Sequence, residues 1–354
     1  MIYIMPFASR RIGFFITLII VLSAATSALR ADLVWDAQNG WRVEGGVLSE
    51  FVSTPEGRNA KTLMDSARRA QDAGREGSAL SGYKKVAKKY PGSVFAPEAL
   101  YRSAGIYEKR HQFTKAYNNL QAIVEQHPAY ERFNDVLSSQ YRIADKLSKG
   151  TRPRYWGVIP GFRQREKGIE YFERVVYNAP YSEYAPLALM NAAAGYTSTN
   201  DRDSAIDALD RMINNYPDSF LTSDAYLKLA AAQASITQGP AYDQASTQLA
   251  LTYFQDYLIL YPGEADATIA TNGFADARTM LAESKMTMGD FYYFKRSNYK
   301  AAKVFYNEAI TIDAESETAE RARKHLARIE RIEAGEESHG VVRPGPRSKR
   351  FWVF

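Results

Sequence analysis

Residues that could carry chemistry are few and scattered in this sequence. The four histidines form no pair at helical spacing, so they predict no metal site: His111, His127, His325 and His339. The chain has no cysteine, which excludes a thiolate nucleophile, a cysteine-ligated metal and a lipidated N-terminal cysteine. Neither a G-x-S-x-G nucleophile motif nor a phosphate-binding glycine loop is present. We therefore predict no catalytic residue, no metal and no cofactor.

Charge and carboxylates do not indicate a catalytic or nucleic-acid site either. The acidic residues 201, 203, 207 and 210 have a spacing that places them on solvated helix faces, whereas paired catalytic carboxylates need a cleft. The formal net charge is +5, and much of it belongs to residues 343–350. A nucleic-acid-binding protein usually has a concentrated basic face, which the body of this chain lacks. The composition therefore favours protein partners and excludes nucleic acid as the main one.

The first residues predict export from the cytoplasm. Arg10 and Arg11 precede an apolar run over residues 12–22, and small residues follow to Ala28. This order is typical of a secretory signal peptide, here over residues 1–28. The run is shorter than the about 20 residues that a membrane span needs, and an uncleaved signal anchor is the alternative.

Prolines divide most of the remaining chain at regular positions. Tyr-Pro, His-Pro or Ala-Pro pairs end at residues 91, 128, 180, 217 and 262, and two of the intervals are 37 residues long. A proline cannot continue a helix, and a repeat of this length is typical of a helical solenoid. Between the prolines, apolar residues recur at helical spacing with small residues among them, as in Leu189, Ala192, Ala193, Tyr196, Ala205, Leu209 and Met212.

This pattern resembles the tetratricopeptide repeat. The resemblance implies an all-α, right-handed superhelical solenoid of about six helix pairs over residues 59–333. We expect the pairs near residues 59–90, 96–127, 134–177, 184–216, 222–261 and 265–312, with a charged capping helix over 315–333. A tryptophan-containing segment over residues 32–56, with Asn39-Gly40 between apolar flanks, predicts a short N-terminal hairpin. The basic, Pro/Gly-rich tail over residues 334–354 is expected to be disordered.

The concave face of such a solenoid is the predicted binding surface. Helix spacing assigns to it Met64, Arg68, Tyr101, Glu108 and Met190. A loop over residues 151–163 interrupts the third pair and carries three aromatic residues, including Trp156. We expect either a contact surface for a partner or a loop that folds back onto its own solenoid.

Two segments are similar to the BamD-type outer-membrane assembly proteins. One contains Tyr292, Tyr293, Lys295, Arg296, Tyr299, Ala301 and Ala302; in that family a similar run opens a late repeat. The other joins Tyr155-Trp156-Gly157-Val158 to a helix that ends at Ala179-Pro180-Tyr181-Ser182. The resemblance covers about residues 59–333.

Membership would imply a periplasmic, non-enzymatic scaffold at the inner face of the outer membrane. It implies that the N-terminal repeats bind unfolded barrel proteins and that the C-terminal repeats dock the barrel subunit of the assembly machinery. Tyr292 and Arg296 are the candidates for that docking surface, although the tyrosines could also only pack the two helices together. The chain departs from the family in lacking a lipidated cysteine.

Two other functions compete with this interpretation. A periplasmic repeat adaptor that coordinates cell-wall synthesis with envelope constriction would have similar Tyr-Pro turns, but it does not usually have the segment from Tyr292 to Ala302. A helical lytic transglycosylase would need a lysozyme-like domain, for which the chain has no room.

Overall fold

The computed structural model describes residues 32–44, 52–236, 239 and 244–336. The expected signal peptide over residues 1–28 lies outside these ranges, as do residues 337–354 of the expected tail. The chain divides into two compact units, Met1–Ala188 and Leu189–Phe354.

The described residues form an all-α repeat fold, as the sequence predicts. The first unit contains two small hairpins, β1 (Asp32–Asp36) with β2 (Gly40–Glu44) and β3 (Arg154–Tyr155) with β4 (Ile159–Pro160). Its helices are α1 (Pro55–Asp72), α2 (Glu76–Lys89), α3 (Phe95–Lys109), α4 (Phe113–Gln126), α5 (Phe133–Ser148) and α6 (Arg165–Asn178). Helix α7 (Tyr184–Ser198) contains the boundary between the units.

The second unit continues the series of helix pairs. Its helices are α8 (Arg202–Asn215), α9 (Thr222–Ile236), α10 (Gln244–Leu260), α11 (Ala267–Asp290), α12 (Tyr299–Ile312) and α13 (Glu317–Glu333). Six pairs followed by one further helix agree with the predicted order, and their bounds differ from the expected ones by only a few residues.

The prolines set the end of the second helix in each of the first five pairs. Helix α2 ends at Lys89, and Tyr90 then leaves the helical conformation with φ −132° and ψ 56° before Pro91. The other four pairs end in the same way, with one residue between the helix and the proline, at Gln126, Asn178, Asn215 and Leu260. A residue before proline is disfavoured in the α region because the proline ring contacts its backbone, so the helix stops there.

Side-chain caps define several helix starts. The Thr54 hydroxyl accepts a hydrogen bond from the Gly57 N–H at 3.0 Å, and Pro55 occupies the first turn of α1. Asp201, Asn298 and Ser316 cap α8, α12 and α13 in the same manner. Such caps accept hydrogen bonds from the first backbone N–H groups of a helix, which have no acceptor within the helix.

Small residues allow the paired helices to approach closely. In the third pair, a Cβ added to Gly168 of α6 would lie 2.3 Å from the Ser148 nitrogen of α5. Beside this crossing, the buried rings of Tyr117 and Tyr171 stack with their centroids 3.6 Å apart. Any larger residue at position 168 would separate α5 from α6, so this glycine belongs to the packing of the pair.

The N-terminal hairpin forms as expected, with a turn one residue longer than a two-residue Asn-Gly turn. Residues 37–39 form the loop, and the Asp36 carboxylate accepts hydrogen bonds from the Gln38 and Asn39 N–H groups at 2.7 and 2.8 Å. Gly40 follows with φ 76°, the left-handed conformation typical of a three-residue hairpin loop. Trp35 and Trp41 are paired across the strands, and Trp41 is only 2% exposed.

The last pair contains an irregularity at the family-like segment. Helix α11 continues into one π-helical turn, Phe291–Lys295, before α12 begins at Tyr299. The segment from Tyr292 to Ala302 therefore joins the two helices of one pair. Gly289 and Asp290 still belong to α11, so the segment lies inside the sixth pair and, unlike the similar run of that family, does not open a repeat.

Candidate protein-binding surfaces

A cleft in the first unit, which we name the hairpin cleft, has a volume of about 370 Å³. The β1–β2 hairpin, the start of α3 and the turn after α4 form its walls. The side chains used below are Trp35, Trp41, Glu98, Arg102, Tyr130 and Arg132. A concave site with aromatic walls and a few fixed polar groups is suited to a ligand with an apolar part and a polar part.

Glu98 fixes the polar side of the hairpin cleft. Its side chain is only 4% exposed, and Oε1 accepts a hydrogen bond from the Arg102 Nε at 2.6 Å. The Tyr130 hydroxyl donates to Oε2, and an Arg132 guanidinium nitrogen lies 4.0 Å from the same oxygen. A buried carboxylate with several charged or hydrogen-bonding partners is held in one position.

The sequence interpretation missed this cleft. The spacing of Glu98 and Arg102, four residues apart on one helix, was a readable signal of an ion pair. Its contact with Tyr130 joins residues 32 positions apart, and no local pattern indicates it.

Two of the predicted groove residues, Tyr101 and Glu108, lie together. Both line a smaller cavity of about 190 Å³, with Gln71 of α1 and Arg142 of α5. The Arg132 guanidinium lies 4.4 Å from the centre of the Tyr101 ring, within the range of a cation–π contact.

Glu108 is a charged centre of the same region. Its carboxylate accepts hydrogen bonds from Arg142 at 2.8 and 2.9 Å and from Lys146 at 2.7 Å. Burial favours the protonated acid, but the two cationic donors outweigh it and hold the pKa of Glu108 below its ordinary value. Glu108 is thus an ion-paired carboxylate at neutral pH.

The two predicted methionines do not project from the solenoid. Met64 is 0% exposed, because α1 packs against α2, α3 and β2 at once. Met190 of α7 is 8% exposed. The expectation that these side chains line an open groove is wrong for both.

Arg68 is partly exposed and has two neighbours in the first unit. Its Nε lies 3.1 Å from the Asp72 carboxylate, and its guanidinium lies 5.7 Å from the centre of the Trp35 ring. It therefore lies beside the N-terminal hairpin, and it is absent from the lining of the cavity that Tyr101 and Glu108 share.

The loop over residues 151–163 folds back onto the solenoid and still exposes apolar side chains. The Arg154 N–H donates to the His111 carbonyl at 2.9 Å, and the Gly161 N–H donates to the Pro153 carbonyl at 2.7 Å. Trp156 is nevertheless 79% exposed. The loop thus folds back onto the solenoid, and its role as a contact surface stays a prediction.

In the second unit, Tyr292 packs and Arg296 is exposed. The Tyr292 ring stacks on Phe305 of α12 with the centroids 5.4 Å apart, while Tyr293 is buried. The Arg296 guanidinium lies 5.5 Å from the centre of the exposed Phe291 ring. The π-helical turn thus presents Phe291 and Arg296 at the surface, while the two tyrosines join α11 to α12.

A partly buried polar cluster lies next to this turn. The Tyr306 hydroxyl donates to Asp290 Oδ1 at 3.0 Å, and His325 Nε2 lies 4.0 Å from the same oxygen. Burial raises the pKa of Asp290 and lowers that of His325. The cluster connects α11, α12 and α13 under the exposed turn.

Two further properties concern the described residues alone. Within them, no group of three or more His, Cys, Asp or Glu side chains is placed to hold a metal ion. Across the same ranges, no helix is both long and apolar enough to span a bilayer.

Sequence comparison supports the repeat type and gives one functional lead. A tetratricopeptide repeat model matches residues 98–130 and 187–219, which comprise most of the second and fourth helix pairs with their proline turns. The chain is 26% identical over 148 residues to the outer membrane protein assembly factor BamD of Rickettsia prowazekii (strain Madrid E). That match covers 42% of this chain and 59% of the relative, so the chain spans less than two thirds of the relative's length.

Solved structures of repeat proteins are also similar to this chain. A tetratricopeptide repeat protein from Parabacteroides merdae ATCC 43184 is 13% identical, with 76% of this chain and 99% of that chain covered and a TM-score of 0.31. A thermophilic tetratricopeptide repeat protein of Thermus thermophilus is 18% identical, with 62% and 98% covered and a TM-score of 0.28.

Proposed function

We propose that this chain is a non-enzymatic scaffold of the machinery that assembles β-barrel proteins in the outer membrane. The observation that carries the proposal is the sequence similarity to an outer membrane protein assembly factor, in a chain built from tetratricopeptide-like repeats. Repeats of this type act by binding proteins on extended surfaces. The expected signal peptide supports a periplasmic location at the inner face of the outer membrane.

The second unit supplies the surface that we propose for docking the barrel subunit. Phe291 and Arg296 are exposed on the π-helical turn, and Tyr292 holds that turn against Phe305. An exposed arginine beside an aromatic ring is a frequent centre of protein–protein interfaces. The partly buried hydrogen bond from Tyr306 to Asp290 joins the start of the turn to α12, which favours a surface that is preorganised for binding.

The first unit supplies the surface that we propose for unfolded barrel proteins. The hairpin cleft offers the aromatic wall of Trp35 beside the cationic groups of Arg102 and Arg132. Tyr101 and Glu108 extend this polar and aromatic surface along the same helix, α3. Side chains of these types can accept both the apolar residues and the backbone of an extended chain.

The test is affinity purification of the tagged chain from gently solubilised envelopes, with identification of the proteins that co-purify. We expect the barrel subunit among them, and we expect Arg296→Glu to lower its yield at least several-fold. Lys324→Glu is the matched control, because Lys324 is also exposed in the second unit but lies on α13.

Two results would contradict this proposal. Recovery of cell-wall synthases without the barrel subunit would favour the adaptor that coordinates envelope constriction. Equal losses for Arg296→Glu and Lys324→Glu would show that the π-helical turn is not the docking surface.

A further inference from the structure

We name the segment over residues 152–165 the aromatic hairpin. It combines three properties that are explained neither by packing of the fold nor by the proposed scaffold function. It is attached to the first unit, it exposes large apolar side chains, and it carries four exposed arginines.

The attachment fixes the direction of the hairpin. Besides the hydrogen bond from the Arg154 N–H to His111, the Pro153 side chain is buried and Gly161 approaches the Pro153 carbonyl. The tip lies against the turn between α3 and α4, because a Cβ added to Gly157 would lie 3.2 Å from the Gln112 amide nitrogen. The hairpin is therefore in contact with the solenoid both at its first strand and at its tip.

That face is apolar to an unusual degree for a surface loop. Trp156 is 79% exposed, Val158 is 75% exposed and Phe162 is 83% exposed. Tyr155 and Ile159 are about half exposed beside them. Exposed apolar groups that cluster in this way indicate a binding surface, whereas single ones are ordinary.

The backbone at Trp156 is strained in addition. Its φ is 51°, a left-handed conformation that costs a bulky residue free energy and that glycine or asparagine adopts more easily. Because Trp156 gains little from packing, the fold gives no reason for tryptophan at this position. Observed strain of this kind points to a function of the side chain.

Arginines flank the exposed apolar residues in the sequence, two before them and two after them. Arg152, Arg154, Arg163 and Arg165 are all exposed, and the sequence has no acidic residue from position 146 to 165. The partner surface should therefore be anionic as well as apolar.

We propose that the aromatic hairpin binds the surface of an anionic lipid bilayer. Trp156, Val158 and Phe162 enter the interface between headgroups and acyl chains, where aromatic side chains are favoured. The four arginines contact the phosphate groups of the lipids. A partner protein would need a matching cavity for each protruding side chain, whereas a bilayer interface receives them without one.

The first experiment measures binding of the full chain to vesicles. We compare vesicles of phosphatidylcholine alone with vesicles that also contain phosphatidylglycerol, at low and at high salt. Binding should require phosphatidylglycerol and should weaken as salt screens the arginines. Trp156→Asn combined with Phe162→Ser should lower the partition coefficient by about tenfold or more.

Matched variants separate the hairpin from the rest of the chain, including its apolar leader. Phe220→Ser is the apolar control, because Phe220 is also 83% exposed but lies outside the hairpin. Arg154→Gln with Arg163→Gln should lower the partition coefficient by about tenfold. Lys88→Gln with Lys89→Gln removes the same charge from an exposed position on α2 and should have a much smaller effect.

A site-specific label tests the depth of insertion. Because the chain has no cysteine, Val158→Cys provides a unique site for an environment-sensitive fluorophore, and Lys88→Cys provides the control. The label at position 158 should shift to the blue and be quenched by lipid-borne quenchers, while the label at position 88 should not.

Three results would overturn the proposal: no preference for phosphatidylglycerol, binding that the hairpin variants do not weaken, or a label at position 158 that stays in water. A loss of the barrel subunit in the hairpin variants, with vesicle binding unchanged, would identify a protein contact instead. None of these outcomes depends on Arg296, so failure of this proposal is distinguishable from failure of the scaffold function.

Discussion

The two β-hairpins of the first unit use tryptophan in opposite ways. In the β1–β2 hairpin, Trp41 is 2% exposed and its ring lies 5.1 Å from the Arg102 guanidinium. In the β3–β4 hairpin, Trp156 is 79% exposed at the turn. Both are short two-stranded elements beside helix pairs, yet the first packs against α1, whereas the second lies at the turn between α3 and α4 and leaves its tryptophan exposed.

The way in which each hairpin is attached explains the difference. The Trp41 N–H donates to the Asp65 carboxylate of α1 at 2.8 Å, so the attachment is at the tryptophan itself. The β3–β4 hairpin is attached through the backbone N–H of Arg154, which donates to the His111 carbonyl, and its tryptophan is exposed. A short β-hairpin can therefore stabilise the fold or hold an exposed side chain in position. Which of the two it does depends on whether the tryptophan or another residue is bonded to the helices.

The largest expected effect is on stability at the buried tryptophan. Trp41→Ala should lower the free energy of unfolding of the first unit by about 3 to 5 kcal/mol, because it removes a large side chain from a closed site. Trp156→Ala should change it by less than about 0.5 kcal/mol. Urea unfolding followed by circular dichroism measures both, and equal losses would refute the comparison.

Replacing the turn glycine should also cost more stability in the β1–β2 hairpin than in the β3–β4 hairpin. A Cβ at Gly40 would lie 2.6 Å from Asp65 Oδ1, the acceptor of the Trp41 N–H, so Gly40→Ala should cost about 2 to 3 kcal/mol. At Gly157 the nearest atom is the end of a flexible Gln112 side chain, so Gly157→Ala should cost about 1 kcal/mol. A larger cost at Gly157, measured by the same unfolding experiment, would show that the β3–β4 hairpin is the more tightly packed one.

Replacing the strained tryptophan should stabilise the protein slightly. Trp156→Asn should raise the free energy of unfolding by up to about 1 kcal/mol, because asparagine adopts a positive φ more easily. Thermal unfolding measures this change as a higher melting temperature. A clear loss of stability would mean that the exposed ring has a packing role that its 79% exposure does not suggest.

The smallest effect concerns charge near each hairpin. Hydrogen bonds from Arg110 and Lys109 lower the pKa of Glu76 below its ordinary value of 4.5, and backbone N–H groups of Asn39 and Gln38 lower the pKa of Asp36. A folded-state pKa below the unfolded one stabilises the fold above the unfolded pKa, and this contribution is lost as pH falls through the folded pKa.

Glu76→Gln should therefore cost about 0.5 kcal/mol at neutral pH and progressively less as the pH falls below about 4. Asp36→Asn is the corresponding change in the β1–β2 hairpin, whereas Glu76 lies at the start of α2; it should have the same pH dependence. Unfolding free energies measured across this pH range test both, and a cost of Glu76→Gln that grows on acidification would contradict the ion pairing with Arg110.

The helix order could be predicted from the sequence because its signals are local. A proline after Tyr90 or Tyr216 acts on its own neighbour, and it stops the helix whatever the tertiary structure. The N-terminal hairpin was equally readable, since Asn39-Gly40 lies between alternating apolar residues. Only the length of its turn differed, because the Asp36 side chain supplies a cap that the dipeptide pattern does not include.

The binding surfaces were less predictable because they depend on distant contacts. Helical spacing placed Met64 on an open face, but β2 and α3 both pack against α1, and the side chain is closed in. The hairpin cleft brings Trp35 to Tyr130 through the fold, and nothing in either segment indicates the other. The aromatic composition of the loop suggested that Trp156 is exposed. How the loop is attached became visible only in the structure, through the hydrogen bond from Arg154 to His111.

The π-helical turn makes the direction of the side chains that follow it depend on a single residue, which is not so in a regular α-helix. A turn of this kind corresponds to one extra residue within an α-helix, and such insertions are frequent at functional sites. Deleting a single residue between Phe291 and Lys295 would restore α-helical winding and would rotate whatever follows by about 100° around the helix axis. The direction in which Arg296 leaves α11 thus depends on the single extra residue of this turn.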